Sequence, residues 1–282
     1  MTHFFYFRFC FVMFVVLLAG SVIAQKTKPR NYVLLLDLSD RLLVPGQAQQ
    51  DQALILDVFA RFEQAVRRNL IINSSDCFRV VLAPQAGTSY RADEVMADLY
   101  LDMVGSIATK RQRLDTFRKG LPGRLKQLYQ QAATGKSRST DFRGCDIWQY
   151  FNEQLPTDLL PTHENVLVVL TDGYFDFEQN VHVKQRGNRA TDSHRLMAQL
   201  RGAPDWKQQI RQPQVGLLPV PKRFAAVSVW VAELHPKVDH LDELDLLKAI
   251  WTKWLGEMGM TSVSCLERSA LPKTLSAFRQ IR

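Results

Sequence analysis

A mainly parallel central β-sheet with helices on both faces, an α/β fold, is what this 282-residue sequence predicts. Three observations carry the prediction. Unbroken apolar runs rich in Val and Leu recur along the chain, the form taken by strands buried on both faces. Stretches with helical apolar spacing separate them. Polar residues stand immediately after the strands, where parallel sheets place their ligands.

The elements follow in order. Residues 31–38 (NYVLLLDL) form the first strand, and 49–69 the first helix, with Ala53, Leu56, Phe59 or Ala60, and Ala65 or Val66 on one side. Residues 78–83 (FRVVLA) form a second strand, stopped by Pro84. Helices are expected over 91–108 and 110–132, with Pro122-Gly123 breaking the second. A helix over 146–155 precedes the plainest strand, 165–170 (NVLVVL), and 224–232 (FAAVSVWVA) is the next strand. The chain closes with a helix over 241–258, a short strand over 262–266 and a helix over 271–281. Two stretches read as elaborations of one domain, at about 84–143 and 174–223.

The first 24 residues have the layout of a cleavable secretory signal: Arg8, an apolar run from Phe9 to Leu18, and Val22-Ile23-Ala24 before Gln25. The mature protein, residues 25–282, is therefore expected to be exported: periplasmic, attached to the cell envelope, or secreted. No later stretch is long and apolar enough to span a bilayer. Only Cys77, Cys145 and Cys265 remain after cleavage, so the fold rests on its core and not on a disulfide framework.

The formal charge of the chain is +8, and it is local. Residues 110–143 carry ten basic side chains against Asp115 and Asp141. Such a segment suits an anionic surface, an acidic glycan or an acidic protein; the alternative is a solvated helix face with Leu114, Phe117, Leu121, Leu125 and Leu128 turned inward. No specific nucleic-acid motif is present.

Two strand ends hold candidate chemistry. The first strand ends in Asp37-Leu38-Ser39-Asp40-Arg41, and NVLVVL ends in Thr171-Asp172-Gly173-Tyr174. Carboxylates and a hydroxyl in one crevice form a hard oxygen site suited to Mg²⁺, Mn²⁺ or Ca²⁺. The bland alternative is that Asp37 and Ser39 only satisfy backbone donors at a turn. Tyr174, Phe175 and Phe177 are either a contact surface or a short packed strand. The histidines show no paired ligand spacing.

These motifs resemble the von Willebrand factor A-like family, whose metal-ion-dependent adhesion site has D-x-S-x-S after the first strand, a central Thr, and an Asp in a T-D-G strand end. The resemblance covers nearly the whole mature chain. It implies metal ligation by Asp37, Ser39 and Asp172, with Mg²⁺ or Mn²⁺ as the ion. Arg41 departs from the pattern where a second Ser belongs, and offers a charge that would neutralise Asp172 or Asp37 in place of an ion. The central position falls on Cys145, in Gly144-Cys145-Asp146-Ile147, or on Thr140. Asp146 then either coordinates directly or caps the following helix.

The resemblance implies a non-enzymatic adhesion or assembly module with a protein partner. One alternative is a phosphohydrolase of the haloacid-dehalogenase type, which needs a second Asp where Ser39 stands. The other is a structural domain with a decayed metal site. Export makes the first prediction: mature protein begins near Gln25, and N-terminal sequencing that finds residues before Ala19 overturns the cleavage.

Overall fold

The computed structural model describes residues 28–85, 91–176 and 183–280. The signal segment, Phe177 and His182 lie outside them.

The sheet has six strands in the order β3-β2-β1-β4-β7-β8. They are β1 (Arg30–Leu36), β2 (Cys77–Leu82), β3 (Tyr100–Asp102), β4 (Glu164–Leu170), β7 (Val227–Leu234) and β8 (Ser262–Glu267). All neighbours are parallel except β2 and β3. A small hairpin, β5 (Gln185–Arg186) with β6 (Arg189–Ala190), stands apart. The helices are α1 (Gln47–Arg68), α2 (Ala92–Asp98), α3 (Ile107–Ala133), α4 (147–158), α5 (His194–Leu200), α6 (Trp206–Gln209), α7 (Glu243–Glu257) and α8 (Leu271–Phe278).

Period-two alternation divides the apolar runs between two cores. From β1, Val33 and Leu35 join Val169, Val229, Phe151, Phe175, Trp251 and Trp254 on the face covered by α4, α5 and α7. Tyr32, Leu34 and Leu36 join Val168, Phe59, Phe62, Phe78, Phe117 and Phe278 on the face covered by α1, α3 and α8. This is the double burial that the unbroken apolar runs demand. Phe175 packs against Trp251 at 4.6 Å between centroids, so it belongs to the core and not to a contact surface.

The structure departs from the sequence reading in three places. The expected helix over 91–108 is cut short, because residues 100–102 pair antiparallel with β2 as an edge strand. Helix α3 runs unbroken through Pro122. Leu121 and Leu125 are buried on either side of it, while Pro122 and Gly123 face solvent, so the missing backbone bond opens toward water. The segments read as elaborations also build the core: Phe117 and Leu121 lie in one cluster, Leu196 and Trp206 in the other.

The basic segment is less free than its composition suggests. Lys110 is buried and donates to the carbonyls of Ile72 and Ser74 at 2.9 and 2.8 Å. Arg113 donates to Val104 O and pairs with Asp102, Arg118 lies near Asp115, and Arg124 donates to Asp98 O. Arg111, Lys119 and Lys126 remain exposed without an ion pair among the described residues. No helix among those residues is long and apolar enough to cross a membrane.

Phe62, fully buried against Tyr32, Phe59 and Phe78, anchors α1 to the sheet. Phe62→Ala is expected to lower unfolding stability in urea by about 3–5 kcal/mol. A loss below about 1 kcal/mol would mean that this face is not packed as described.

A carboxylate crevice at the switch point of the sheet

Strands β1 and β4 are neighbours at the centre, and the strand order reverses across them. A ligand site in such a sheet forms beyond their carboxyl ends. The register places Leu36 opposite Leu170, so Asp37 and Thr171 emerge side by side. Asp37 N donates to Leu170 O at 3.0 Å, and Thr171 Oγ1 donates to Asp37 Oδ2 at 2.7 Å. Asp37 Oδ1 accepts Ser39 N at 3.0 Å. Thr171 Oγ1 also accepts Gly173 N, and Asp172 Oδ1 accepts Tyr174 N. Gly173 is required at this turn: its φ is +103°, and a Cβ there would meet Leu234 Cδ2 at 2.6 Å.

The crevice so formed encloses about 260 Å³. Asp37, Ser39, Asp172 and Cys145 line it, as do Asp40, Ser139, Arg143, Asp176 and Lys237. Asp37 and Asp172 thus converge in one place. Thr140 is exposed and does not line the crevice; its neighbour Ser139 does, donating Oγ to Asp40 Oδ2. Asp146 takes the capping role, its Oδ1 accepting Gln149 N at 2.7 Å at the start of α4.

Arg41 forms no side-chain ion pair with either strand-end carboxylate, although its charge acts on both from below. Its side chain turns under the crevice and grips Asp51 of α1 with both terminal nitrogens, at 2.7 and 3.0 Å. Only the backbone carbonyl of Asp37 receives a bond from it, at 3.2 Å. Asp51 also accepts Gln47 Nε2 at 2.8 Å and Tyr129 OH at 2.9 Å. A planar guanidinium finds a bidentate partner in Asp51 that Asp172 does not offer it.

The crevice's cation is Lys237, three residues beyond β7. His235 N donates to Asp172 O, and Lys237 N donates to Tyr174 OH, each at 3.0 Å. These bonds aim Lys237 Nζ at Asp40 Oδ1 (2.9 Å), Asp172 Oδ2 (3.3 Å) and Asp176 Oδ2 (4.0 Å). The Asp172 contact is an ion pair without hydrogen-bond geometry, so Oδ2 remains a buried oxygen with no hydrogen bond. Sequence reading missed Lys237 and gave Asp40 no role in the site. The usable signal was positional: His235-Pro236-Lys237 follows a third strand beside NVLVVL, and the rule that singled out Asp37 and Asp172 applies there equally.

Burial pushes the Asp172 carboxyl up to about 7, with Asp37 adding to the rise and Lys237 opposing it. Burial alone would lower the Lys237 ammonium, but Asp172 and Asp40 outweigh it and raise it. The ammonium therefore stays charged whether or not Asp172 is ionised, since Asp40 holds it at 2.9 Å. Burial, with Asp37 next in effect, raises the Cys145 thiol well above its ordinary range. Cys145 is thus held as a neutral thiol, which disfavours a role as nucleophile or thiolate ligand. Cys77 and Cys265 are also free thiols.

A divalent ion does not fit this donor set while Lys237 is in place. An ammonium stands 3.3 Å from Asp172 Oδ2, Cys145 presents a neutral thiol to the crevice, and the Arg41 guanidinium is engaged by Asp51. Among the described residues, no group of three or more His, Cys, Asp or Glu is placed to hold a metal.

Comparison with known proteins adds no precedent: no protein-family model and no curated protein matches this chain.

The Asp172 shift has a pH consequence. A carboxyl whose folded pKa lies above its ordinary value of 3.8 favours the fold when protonated. That stability is fully present below about pH 4 and is lost as pH rises through about 7. Asp172→Asn lacks this loss. Its stability relative to wild type is expected to rise by roughly 2 kcal/mol between pH 5 and pH 8 in paired urea unfolding curves. A difference that stays constant over that interval contradicts the assigned shift.

Proposed function

We propose that this chain is an exported binding module that engages a protein partner at the carboxylate crevice, without turnover. The single observation that carries this reading is the crevice itself. It is an open, polar pocket at the switch point of a parallel sheet, where the ends of β1, β4 and β7 converge. Four carboxylates and two basic side chains line it. Its chemistry is that of contact. Cys145 is held as a neutral thiol, no histidine lines the crevice among the described residues, and the Ser139 hydroxyl donates to Asp40, whose other oxygen is held by Lys237.

Export rests on the signal layout of the first 24 residues and would carry the module to partners in the envelope or outside it. An anionic surface or glycan is a second contact within this reading, through the exposed Arg111, Lys119 and Lys126. Divalent metal enters this reading only where it displaces Lys237.

Site-directed photo-crosslinking in cells that export the protein tests it. A photoreactive side chain at Arg143, on the exposed rim, is expected to give a discrete cross-linked product. The same probe at Thr162, exposed beside the opposite end of β4, is expected to give none, and Asp37→Asn is expected to reduce the Arg143 product. Equal cross-linking from both positions removes the crevice as the contact site.

A further inference from the structure

We propose that Lys237 is the permanent cation of the crevice, standing where a divalent ion would otherwise sit, so that the crevice works without metal. The proposal rests on the crevice being the contact site, and concerns which charge completes it.

The lysine is built into position. Pro236 limits the backbone before it. Hydrogen bonds at His235 N and Lys237 N tie both flanks to the turn after β4. The ammonium then meets carboxylates from two strand-end segments: Asp40 beyond β1, and Asp172 and Asp176 beyond β4. The Tyr174 ring lies beneath it at 5.2 Å. Asp40 is itself oriented, its second oxygen taken by Ser139 Oγ. The side chain keeps 34% of its surface exposed, but its pinned backbone and its partners on two segments fix where the ammonium sits.

A second observation shows that the position is a cation site. Asp172 is 3% exposed, and its Oδ2 has no hydrogen-bond donor. Nearly all other buried polar atoms of the described residues are satisfied, so this oxygen is kept for positive charge. Asp37 lies beside it, also buried, with one neutral hydroxyl and one backbone amide as donors. Two buried carboxylates need a countercharge. Arg41 is committed to Asp51, and Arg143 is exposed on the rim. Lys237 is the cation in contact. An ammonium on a four-carbon stem places a compact charge where an ion could otherwise be bound, and its supply is independent of metal in the surroundings.

The test uses full-length mature protein and Mn²⁺ as probe, read by electron paramagnetic resonance of free Mn²⁺. Wild type is expected to show no site-specific Mn²⁺ binding, meaning no binding that Asp37→Asn removes. Lys237→Met, which keeps the stem and deletes the charge, is expected to gain Mn²⁺ affinity by roughly tenfold or more, since the freed set is two carboxylates and the Ser39 hydroxyl. The double variant Lys237→Met/Asp37→Asn is expected to lose that gain. Wild-type binding that Asp37→Asn abolishes overturns the proposal, and so does a folded Lys237→Met that gains nothing. Where Lys237→Met does not fold in chelator, its melting is followed as Mn²⁺ is added. Recovery of a cooperative transition supports the proposal, and no recovery overturns it. None of these arms involves a partner, so their failure is distinct from failure of the cross-linking experiment.

Discussion

Two carboxylates lie side by side at the centre of a parallel sheet, 2% and 3% exposed, and the surrounding structure is arranged around that charge. The register of β1 on β4 sets Asp37 beside Thr171, and the turn at Gly173 brings Asp172 into the same crevice. Burying them is unfavourable unless hydrogen bonds and countercharge compensate. Thr171, the backbone amides of Ser39 and Tyr174, and Lys237 provide that compensation. It is incomplete at Asp172, which is why its carboxyl titrates high.

Much of the fold was legible because doubly buried strands leave an unambiguous mark. Residues 31–36, 78–82 and 165–170 are apolar at both parities, and all three lie in the sheet interior. Edges were harder. Residues 100–102 are too few to show a period, and only pairing with β2 makes them a strand. Pro122 misled because a proline's effect depends on which helix face it occupies, and facing is a tertiary property.

The site divides in the same way. Asp37, Ser39 and Asp172 were legible because each follows a recognisable strand. Arg41 was legible as an anomaly but not in its direction, because its partner Asp51 lies on α1, inside a helical pattern where a single acidic residue looks like surface. Lys237 was hidden by its neighbours: Glu233 to Lys237 reads as an ordinary polar loop, and only the bonds from His235 N and Lys237 N aim its ammonium at the carboxylates.

Beneath the crevice lies a second layer of charge that explains how the first is held. Arg41 and Asp51 pair with side chains 1% and 0% exposed. Gln47 bridges Asp51 to Glu233, Gln50 also reaches Glu233, and Arg268 binds Gln47. Glu233 has φ of +72°, a left-handed conformation costing roughly 1–2 kcal/mol for a residue with a Cβ. Nothing local favours it there. The two glutamine amides from α1, with Arg268 at 4.0 Å, hold its carboxylate there. The bent backbone at Glu233 coincides with the register shift between β7 and β8. Beyond that bend the chain leaves the sheet toward His235 and Lys237. The buried network therefore does more than neutralise itself. By fixing the exit of β7 it sets where the lysine backbone passes, and so delivers the ammonium to the carboxylates above.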